Sequence, residues 1–167
     1  MSPPGVAEAW PEPVQRVADA LREAGAEARV EEFAQVAHTA EEAAAAIGCE
    51  LRQIVKSLLF DCDGTPVLVL VPGDRRADRA KIAAATRAAK VRVASAEQVE
   101  AETGFPPGGV APFGLLRVTR VLIDRHLVVD DGVVWVGAGS ATHMAGLPAG
   151  ELVRVARAEP ADVVEDI

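Results

Sequence analysis

Apolar residues recur with helical spacing near the start of the chain. Val14, Val17 and Leu21 fall on one face of a segment that predicts an amphipathic helix over residues 13–24. Gly25 follows at the position of a C-terminal cap, where a glycine readily adopts the left-handed conformation. The first helix is therefore expected to pack its apolar face on the body of the protein.

Further helices are marked by local capping signals. Two pairs of residues have the spacing of a capping box, namely Thr39 with Glu42 and Ser95 with Gln98. In such a box the hydroxyl satisfies a free backbone amide and the longer side chain reaches back towards the cap. The helices that these boxes open are predicted to end at Gly48 and Gly104, and another helix is predicted over residues 78–89.

Short apolar runs between the helices predict a β-rich centre. The runs span residues 28–33, 54–60, 66–71, 91–94, 117–123, 127–129 and 133–136. Asp63-Gly64 predicts a hairpin turn after the second run, and Asp130-Asp131-Gly132 predicts another before the last. A glycine-rich loop at 137–140 should precede a final strand and helix. Because strands and helices do not alternate regularly, the pattern predicts an α/β or α+β domain with a largely antiparallel or mixed sheet.

The composition fits one compact domain of 167 residues, half of them hydrophobic. Residues 1–12, rich in Pro, Ala and Glu, are predicted to be a disordered lead-in to a domain over 13–167. The chain starts without a basic and apolar leader and has no run of about 20 apolar residues, so we expect a cytoplasmic protein without a membrane partner. Cys49 and Cys62 lack any zinc-ligand spacing, so we expect two free or buried thiols and no metal.

The net charge is −8, which argues against broad binding along a nucleic acid backbone. The same net charge is compatible with a protein that binds only one end of an RNA. Basic residues do cluster in one part of the sequence, which we interpret as a solvated, charged helix. They are Arg75, Arg76, Arg79, Lys81, Arg87, Lys90 and Arg92.

Lys56 is the first candidate for chemistry, because it lies inside an apolar run that predicts a strand. A lysine there is most often a surface residue on the polar side of a half-buried strand. The functional interpretation is a partly desolvated ammonium that lines a pocket. There it could pair with a phosphate or polarise a carbonyl group.

A second candidate is the loop over residues 104–114, which is dense in glycine and proline. The glycines are 104, 108, 109 and 114, and the prolines are 106, 107 and 112. Such a loop is either a rigid surface turn or a set of exposed backbone amides that can hold a carbonyl oxygen or an oxyanion. The density of glycine and proline keeps the functional interpretation open.

Gly137, Gly139 and Ser140 form a third candidate that resembles the start of a dinucleotide fingerprint. Thr142 replaces its third glycine, so a pocket wall is the better interpretation. Among the three histidines, His143 is favoured because it follows this segment closely. The sequence has no serine elbow, paired-carboxylate motif or metal-ligand motif.

In order and spacing, these segments resemble the YbaK family of aminoacyl-tRNA deacylases, which includes the editing domain inserted in bacterial prolyl-tRNA synthetases. The resemblance runs from about residue 13 to 165. It joins His38-Thr39, the strand around Lys56, Gly104-x-x-x-Gly108-Gly109-Val110-x-Pro112-x-Gly114, Gly137-Ala138-Gly139-Ser140 and the stretch 147–152. It implies a compact α/β domain with a mixed, largely antiparallel, barrel-like sheet surrounded by helices.

The resemblance also implies a function, namely hydrolysis of the ester between a small amino acid and the tRNA 3′ end without metal or organic cofactor. Lys56 would face the aminoacyl-adenosine, and backbone amides at Gly108 and Gly109 would meet the ester carbonyl. The expected substrate-binding residues are Pro112, Gly137, Gly139, Ser140 and His143. A synthetase or an elongation factor is a candidate to deliver the substrate.

Two other function classes remain open. The chain could be a non-catalytic module that binds tRNA or a synthetase, although intact Lys56 and an intact loop from Gly108 to Pro112 argue against a decayed site. It could also bind a small nucleotide through Gly137–Ser140. Micromolar binding of free nucleotides would favour that second alternative.

Overall fold

A computed structural model describes residues 10–129 and 131–167 of the chain. Within them it contains five α-helices and eight strands. The helices are α1 (Glu12–Glu23), α2 (Ala40–Ile47), α3 (Arg79–Thr86), α4 (Ala96–Thr103) and α5 (Ala149–Ala156). The strands are β1 (Arg29–Glu32), β2 (Val55–Cys62), β3 (Thr65–Pro72), β4 (Val91–Val93), β5 (Arg120–Asp124), β6 (Val133–Ser140), β7 (His143–Pro148) and β8 (Ala158–Ala161).

The strands form two sheets. One sheet has the order β4-β2-β3-β5-β8 and the other the order β1-β7-β6. Neighbouring strands are antiparallel except for the parallel pairs β3–β5 and β5–β8, so the predicted α/β fold with a mixed, largely antiparallel sheet is confirmed. An isolated bridge between Ile54 and Trp135 links the sheets. In the part of the chain that the structure describes, the sheets do not close into the expected barrel.

The five-stranded sheet is buried on both faces. Along β2, Val55 and Leu59 belong to the large core between the sheets, whereas Phe60 and Cys62 belong to a second core. Ile82 of α3 closes that second core together with two valines near the C-terminus. Because successive side chains of a strand point to opposite faces, an almost continuous apolar run is what such a doubly covered strand requires.

The capping signals mark the helix ends correctly. The Thr39 hydroxyl accepts the Glu42 amide at 3.1 Å, and Gly48 ends α2 with φ of 82°. The Glu42 carboxylate, however, reaches the amide of His38 rather than that of the cap, at 2.8 Å. At α4 both halves of the box form, between Ser95 and Gln98.

The predicted hairpin at Asp63-Gly64 is confirmed, because both residues have positive φ and β2 pairs with β3 on either side. The strand predicted over 127–129 is wrong. A 3₁₀ turn at Arg125–Leu127 takes its place, because the carboxylate of Asp124 accepts the amide of His126 at 3.1 Å and turns the chain.

The second predicted hairpin is also wrong in its pairing, because β6 pairs with β7 and not with the segment before it. Asp130 of that turn lies outside the described residues. The glycine-rich stretch at 137–140 is not a loop either. It is the end of β6, with a bulge between Gly137 and Ser140.

The chain before α1 is described only from Trp10 onwards, so residues 1–9 of the predicted lead-in lie outside the described residues. The Trp10 ring packs edge-on against His143, with 5.2 Å between ring centroids. None of the described helices is long and apolar enough to cross a membrane.

Candidate functional site

A cleft of about 160 Å³ opens where four segments of the fold meet. The start of α2 and the first residues of β2 form one side. The loop over 104–114 and the turn from β6 to β7 form the other. Five of the predicted site residues line it, namely Lys56, Gly108, Gly137, Ser140 and His143. We call it the glycine-loop cleft.

Lys56 is half-buried in the first part of β2. Its Nζ donates a hydrogen bond of 2.5 Å to the main-chain oxygen of Arg75. Burial lowers the pKa of this ammonium; Glu41 and Asp74 act against that effect, and Arg76 adds to it. Lys56 is therefore a desolvated cation with a fixed direction, which suits it to pair with a phosphate or a developing negative charge.

The loop over 104–114 presents its amides through a 3₁₀ turn at Pro107–Gly109. The Gly109 amide donates to the oxygen of Pro106 at 2.8 Å. It is therefore not free to donate to an ester carbonyl, which is the role that the family resemblance implied for it. Gly108 is exposed and occupies the second position of the turn. The first amides of a helical turn have no partner within it, so the amide of Gly108 is open to a ligand, unlike that of Gly109.

Two glycines are needed because backbone segments meet behind the cleft. A β-carbon on Gly109 would lie 2.5 Å from the nitrogen of Ser140, and one on Gly137 would strike the oxygen of Val110. The loop and the bulged end of β6 therefore lie against each other without side chains between them.

His143 is 2% exposed and is held from three sides. Its Nδ1 lies 2.5 Å from the hydroxyl of Ser140, which in turn accepts the Thr142 amide at 3.1 Å. Its Nε2 lies 3.1 Å from a carboxylate oxygen of Glu32, within ion-pair distance but without the alignment of a hydrogen bond. Trp10 covers the ring. The imidazole is therefore a fixed wall of the cleft.

Ser57 is a cleft residue that sequence reasoning missed. Its hydroxyl is buried and has no hydrogen-bond partner within the described residues, although it lines the cleft beside Lys56. A buried polar atom without a partner is uncommon and calls for an explanation such as a bound ligand. The available signal was a single hydroxyl residue within the apolar run of β2.

Pro112 and Gly139 are close to the site but do not line the cleft. Pro112 is buried in the loop. Gly139 has φ of 102°, and a β-carbon there would lie 2.8 Å from the backbone of Pro13 at the start of α1. The close approach at Gly139 therefore supports the end of β6 from behind the cleft.

Arg16 on α1 holds both ends of the loop. Its guanidinium donates to the oxygen of Gly104 at 2.6 Å and to that of Gly114 at 3.0 Å. It also stacks over the ring of the buried Phe105, with 4.5 Å to the ring centroid. Both glycines have positive φ, so the loop begins and ends in conformations that the guanidinium fixes. We call this arrangement the Arg16 clamp.

Within residues 10–129 and 131–167, no group of three His, Cys, Asp or Glu side chains is placed to hold a metal ion. Cys49 and Cys62 are both free thiols, as expected, and burial raises the pKa of each.

Comparison with known proteins decides the family. The sequence profile of the aminoacyl-tRNA editing domain matches residues 34–155. The chain belongs to the aminoacyl-tRNA editing domain family. The cleft lies within the matched segment, whereas α1 with the Arg16 clamp precedes it.

Several relatives of this editing domain are synthetases. The chain is 45% identical over 109 residues to a proline–tRNA ligase of Nitratidesulfovibrio vulgaris, a match that covers 65% of the chain and 19% of the ligase. The chain thus spans about a fifth of the length of that relative. It is also 39% identical over 99 residues to the uncharacterized protein YwhH of Bacillus subtilis, covering 59% of the chain and 62% of YwhH.

Solved structures share the whole fold. The crystal structure of a candidate trans-editing enzyme for prolyl-tRNA synthetase superposes with a TM-score of 0.87 at 33% identity, covering 95% of this chain and all of that one. The structure of the hypothetical protein APE2540 superposes with a TM-score of 0.83 at 30% identity, covering 90% and 99%.

Proposed function

We propose that the glycine-loop cleft hydrolyses the ester bond of a mischarged aminoacyl-tRNA that carries a small amino acid. The protein would act in trans, as a free-standing deacylase in the cytoplasm. One observation carries the proposal: Lys56 and Gly108 line the same cleft, one as a half-buried cation and the other at a position of its turn where the amide has no partner within the turn. The family and the trans-editing neighbour support it.

The chemistry needs little beyond positioning and charge. An aminoacyl ester is already activated, so water can attack its carbonyl carbon without a strong protein nucleophile. The amide of Gly108 would stabilise the oxyanion that forms, and Lys56 would hold the negative charge of the terminal nucleotide. The bond to the ribose oxygen then breaks, and that oxygen takes the proton that the water gives up. The products are the free amino acid and the tRNA.

The size of the cleft accounts for the preference for a small amino acid. A volume of about 160 Å³ is small, and the fixed ring of His143 closes part of it. A pocket of this kind rejects a larger cognate residue by steric exclusion, as the second sieve of an editing enzyme does. The hydroxyl of Ser57 is placed to meet a polar group of the bound ester.

The test is deacylation of a panel of mischarged tRNAs by the wild-type protein and by Lys56→Ala. We expect rapid loss of one small amino acid, and a kcat/KM lower by about 100-fold in the variant, because a substrate that is no longer held by Lys56 is misplaced relative to the attacking water. Lys90→Ala is the matched control, because Lys90 is exposed and lies outside the cleft. It should retain the wild-type rate.

Thermal unfolding of both variants checks that the fold persists. Wild-type turnover by a folded Lys56→Ala protein would remove Lys56 from the mechanism. No turnover of any ester by the folded wild-type protein would instead favour the non-catalytic module that binds tRNA or a synthetase.

A further inference from the structure

A second cavity of about 260 Å³ is larger than the glycine-loop cleft and shares no lining residue with it. None of the residues assigned above to catalysis or substrate binding lines it. Its polar lining comes from Arg52, Gln53, Asp74, Arg75 and His126, and its apolar lining from Pro72, Leu127 and two valines at the start of β6. Its volume is close to the lower end of the range of small-molecule sites, about 300–1,000 Å³.

The cavity is built from fixed side chains. Gln53 bridges two segments, since its carbonyl oxygen accepts the Glu50 amide at 2.9 Å and its amide donates to the oxygen of Val133 at 3.1 Å. The Arg75 guanidinium donates to the main-chain oxygen of Glu165 at 3.2 Å, a contact that leaves its positive charge in place. Arg52 is partly neutralised by the carboxylate of Glu50 at 2.5 Å.

His126 is oriented by a buried acid. Nδ1 of the ring lies 2.7 Å from the carboxylate of Asp124, which is 0% exposed and also accepts the amides of His126 and Val163. A carboxylate only accepts hydrogen bonds, so Nδ1 carries the hydrogen and Nε2 is left as the ring's other polar atom. The same carboxylate caps the 3₁₀ turn at Arg125–Leu127, so the ring is held in one orientation at the wall of the cavity.

A hydrogen bond joins a lining residue of the cleft, Lys56, to a lining residue of the second cavity, Arg75. Its side chain lines the second cavity, while its carbonyl oxygen accepts the Nζ of Lys56 at 2.5 Å. The chain also passes directly from one to the other, since Arg52 and Gln53 line the second cavity and the residues from Ile54 to Ser57 line the cleft. The second cavity is therefore the neighbouring site in the direction in which the side chain of Lys56 points.

We propose that the second cavity holds one nucleotide, with its phosphate at Arg75 and Arg52, its base on the apolar lining and a ribose hydroxyl at Asp74 or His126. Resting on the proposed function, this nucleotide is the one that precedes the terminal adenosine of the tRNA. Arginine suits a phosphate because its planar donors match the phosphate oxygens. The carboxylate of Asp74 would repel a second negatively charged group, which favours a neutral ribose hydroxyl at that position.

The test measures binding, so it does not depend on hydrolysis. An uncharged RNA hairpin with the acceptor end of tRNA is titrated by fluorescence anisotropy at several salt concentrations. We expect Arg75→Gln to weaken binding about tenfold, as for loss of a charged hydrogen bond. A plot of log affinity against log salt concentration has a negative slope, and this slope should become less steep by about 0.7, the value for one phosphate contact with a single strand.

Arg79→Gln is the matched control, because Arg79 is exposed, carries the same charge and does not line the cavity. It should bind the hairpin as the wild type does. A hairpin shortened by its last two nucleotides should bind the wild type no better than the full hairpin binds Arg75→Gln. His126→Ala, which leaves the main-chain donors to Asp124 intact, provides a second variant if Arg75→Gln does not fold.

Equal losses in Arg75→Gln and Arg79→Gln would assign the effect to general surface charge and overturn the proposal. So would unchanged binding in Arg75→Gln and His126→Ala. If free cytidine monophosphate binds the wild type but both variants keep full affinity for the hairpin, the cavity is a free-nucleotide site and its place in RNA recognition is overturned. If Arg75→Gln and His126→Ala bind the hairpin more weakly than the wild type, but the wild type hydrolyses no ester, the nucleotide site stands and only the proposed hydrolysis is contradicted.

Discussion

Gly108 and Gly109 are neighbours in the chain, but a β-carbon would meet different surroundings at each. At Gly108 the nearest atom would be the β-carbon of Ala141 at 3.8 Å, an ordinary contact at the edge of the cleft. At Gly109 it would overlap three backbone atoms of Ser140, the nearest at 2.5 Å. The missing side chain at Gly108 leaves space at the edge of the cleft, whereas at Gly109 it allows the backbone of Ser140 to pack closely.

This difference predicts that an added methyl group lowers the stability at Gly109 but the activity at Gly108. Gly109→Ala should lose about 1–3 kcal/mol of stability through overpacking, which lowers the Tm by roughly 2–4 °C per kcal/mol. Gly108→Ala should keep the wild-type Tm but lose about tenfold or more in kcat/KM, as for one methylene in a substrate pocket. Calorimetry and deacylation assays on both variants measure this; a stable and fully active Gly108→Ala would show that the substrate does not approach this loop.

The chain has three lysines, at positions 56, 81 and 90, so each can be followed by NMR of labelled lysine. Burial lowers the pKa of Lys56, and the hydrogen bond to Asp166 raises that of Lys81. As the pH rises, Lys56 should lose its proton before Lys81. Activity that needs the Lys56 cation should therefore decline at a lower pH than the usual lysine pKa predicts. Titration of Lys56 after Lys81 would contradict its desolvation.

At the scale of the elements, sequence predicted what local chemistry determines. The starts of α2 and α4 and their ends at Gly48 and Gly104 were predicted correctly, because a cap is a contact within a few residues. Strand pairing depends on distant partners. The glycines at 137–139 suggested a loop, but β7 on one side and the loop at Val110 on the other keep them in a strand.

In the site as well, the features that depend on local sequence were predicted and those that depend on distant contacts were not. Lys56 and Gly108 were found from the pattern and from the family resemblance, and the structure brings them to one cleft. Ser57 was missed because a serine in a strand attracts no attention until its hydroxyl proves to be buried without a partner.

Among the strands, β8 was not predicted, since its short stretch becomes a strand only by parallel pairing with β5.

The Arg16 clamp predicts a long-range effect of α1 on the cleft. Arg16→Lys keeps the charge but cannot donate to both loop ends, so we expect a loss of about 2 kcal/mol in stability. A displaced loop should also lower kcat, since a shift of about 1 Å in a reacting group can cost on the order of 100-fold. Arg22→Lys on the exposed side of α1 is the control. Unchanged stability and rate in Arg16→Lys would mean that the loop holds its own shape.

At the scale of the whole molecule, the chain is acidic, with a net charge of −8, and the cleft proposed to bind the tRNA end is small. A net charge of this sign disfavours binding along an RNA backbone, in spite of the basic residues between Arg75 and Arg92. Recognition should then be confined to the acceptor end.

We therefore expect kcat/KM values for a mischarged minihelix and for the full-length tRNA that agree within about threefold, since few phosphate contacts are available outside the acceptor end. Parallel deacylation time courses at matched concentrations measure the ratio. A full-length tRNA that reacts more than tenfold faster would indicate contacts with the rest of the tRNA, or a need for a delivering partner.

The position of α1 bears on how this activity can be moved between proteins. The segment shared with the family starts at residue 34, yet α1 supports both glycine segments of the cleft from behind, through Pro13 and Arg16. A chimera that transplants only residues 34–155 would inherit Lys56 and Gly108 without the helix that holds their surroundings. Any host for this domain must therefore supply α1 or a substitute for it.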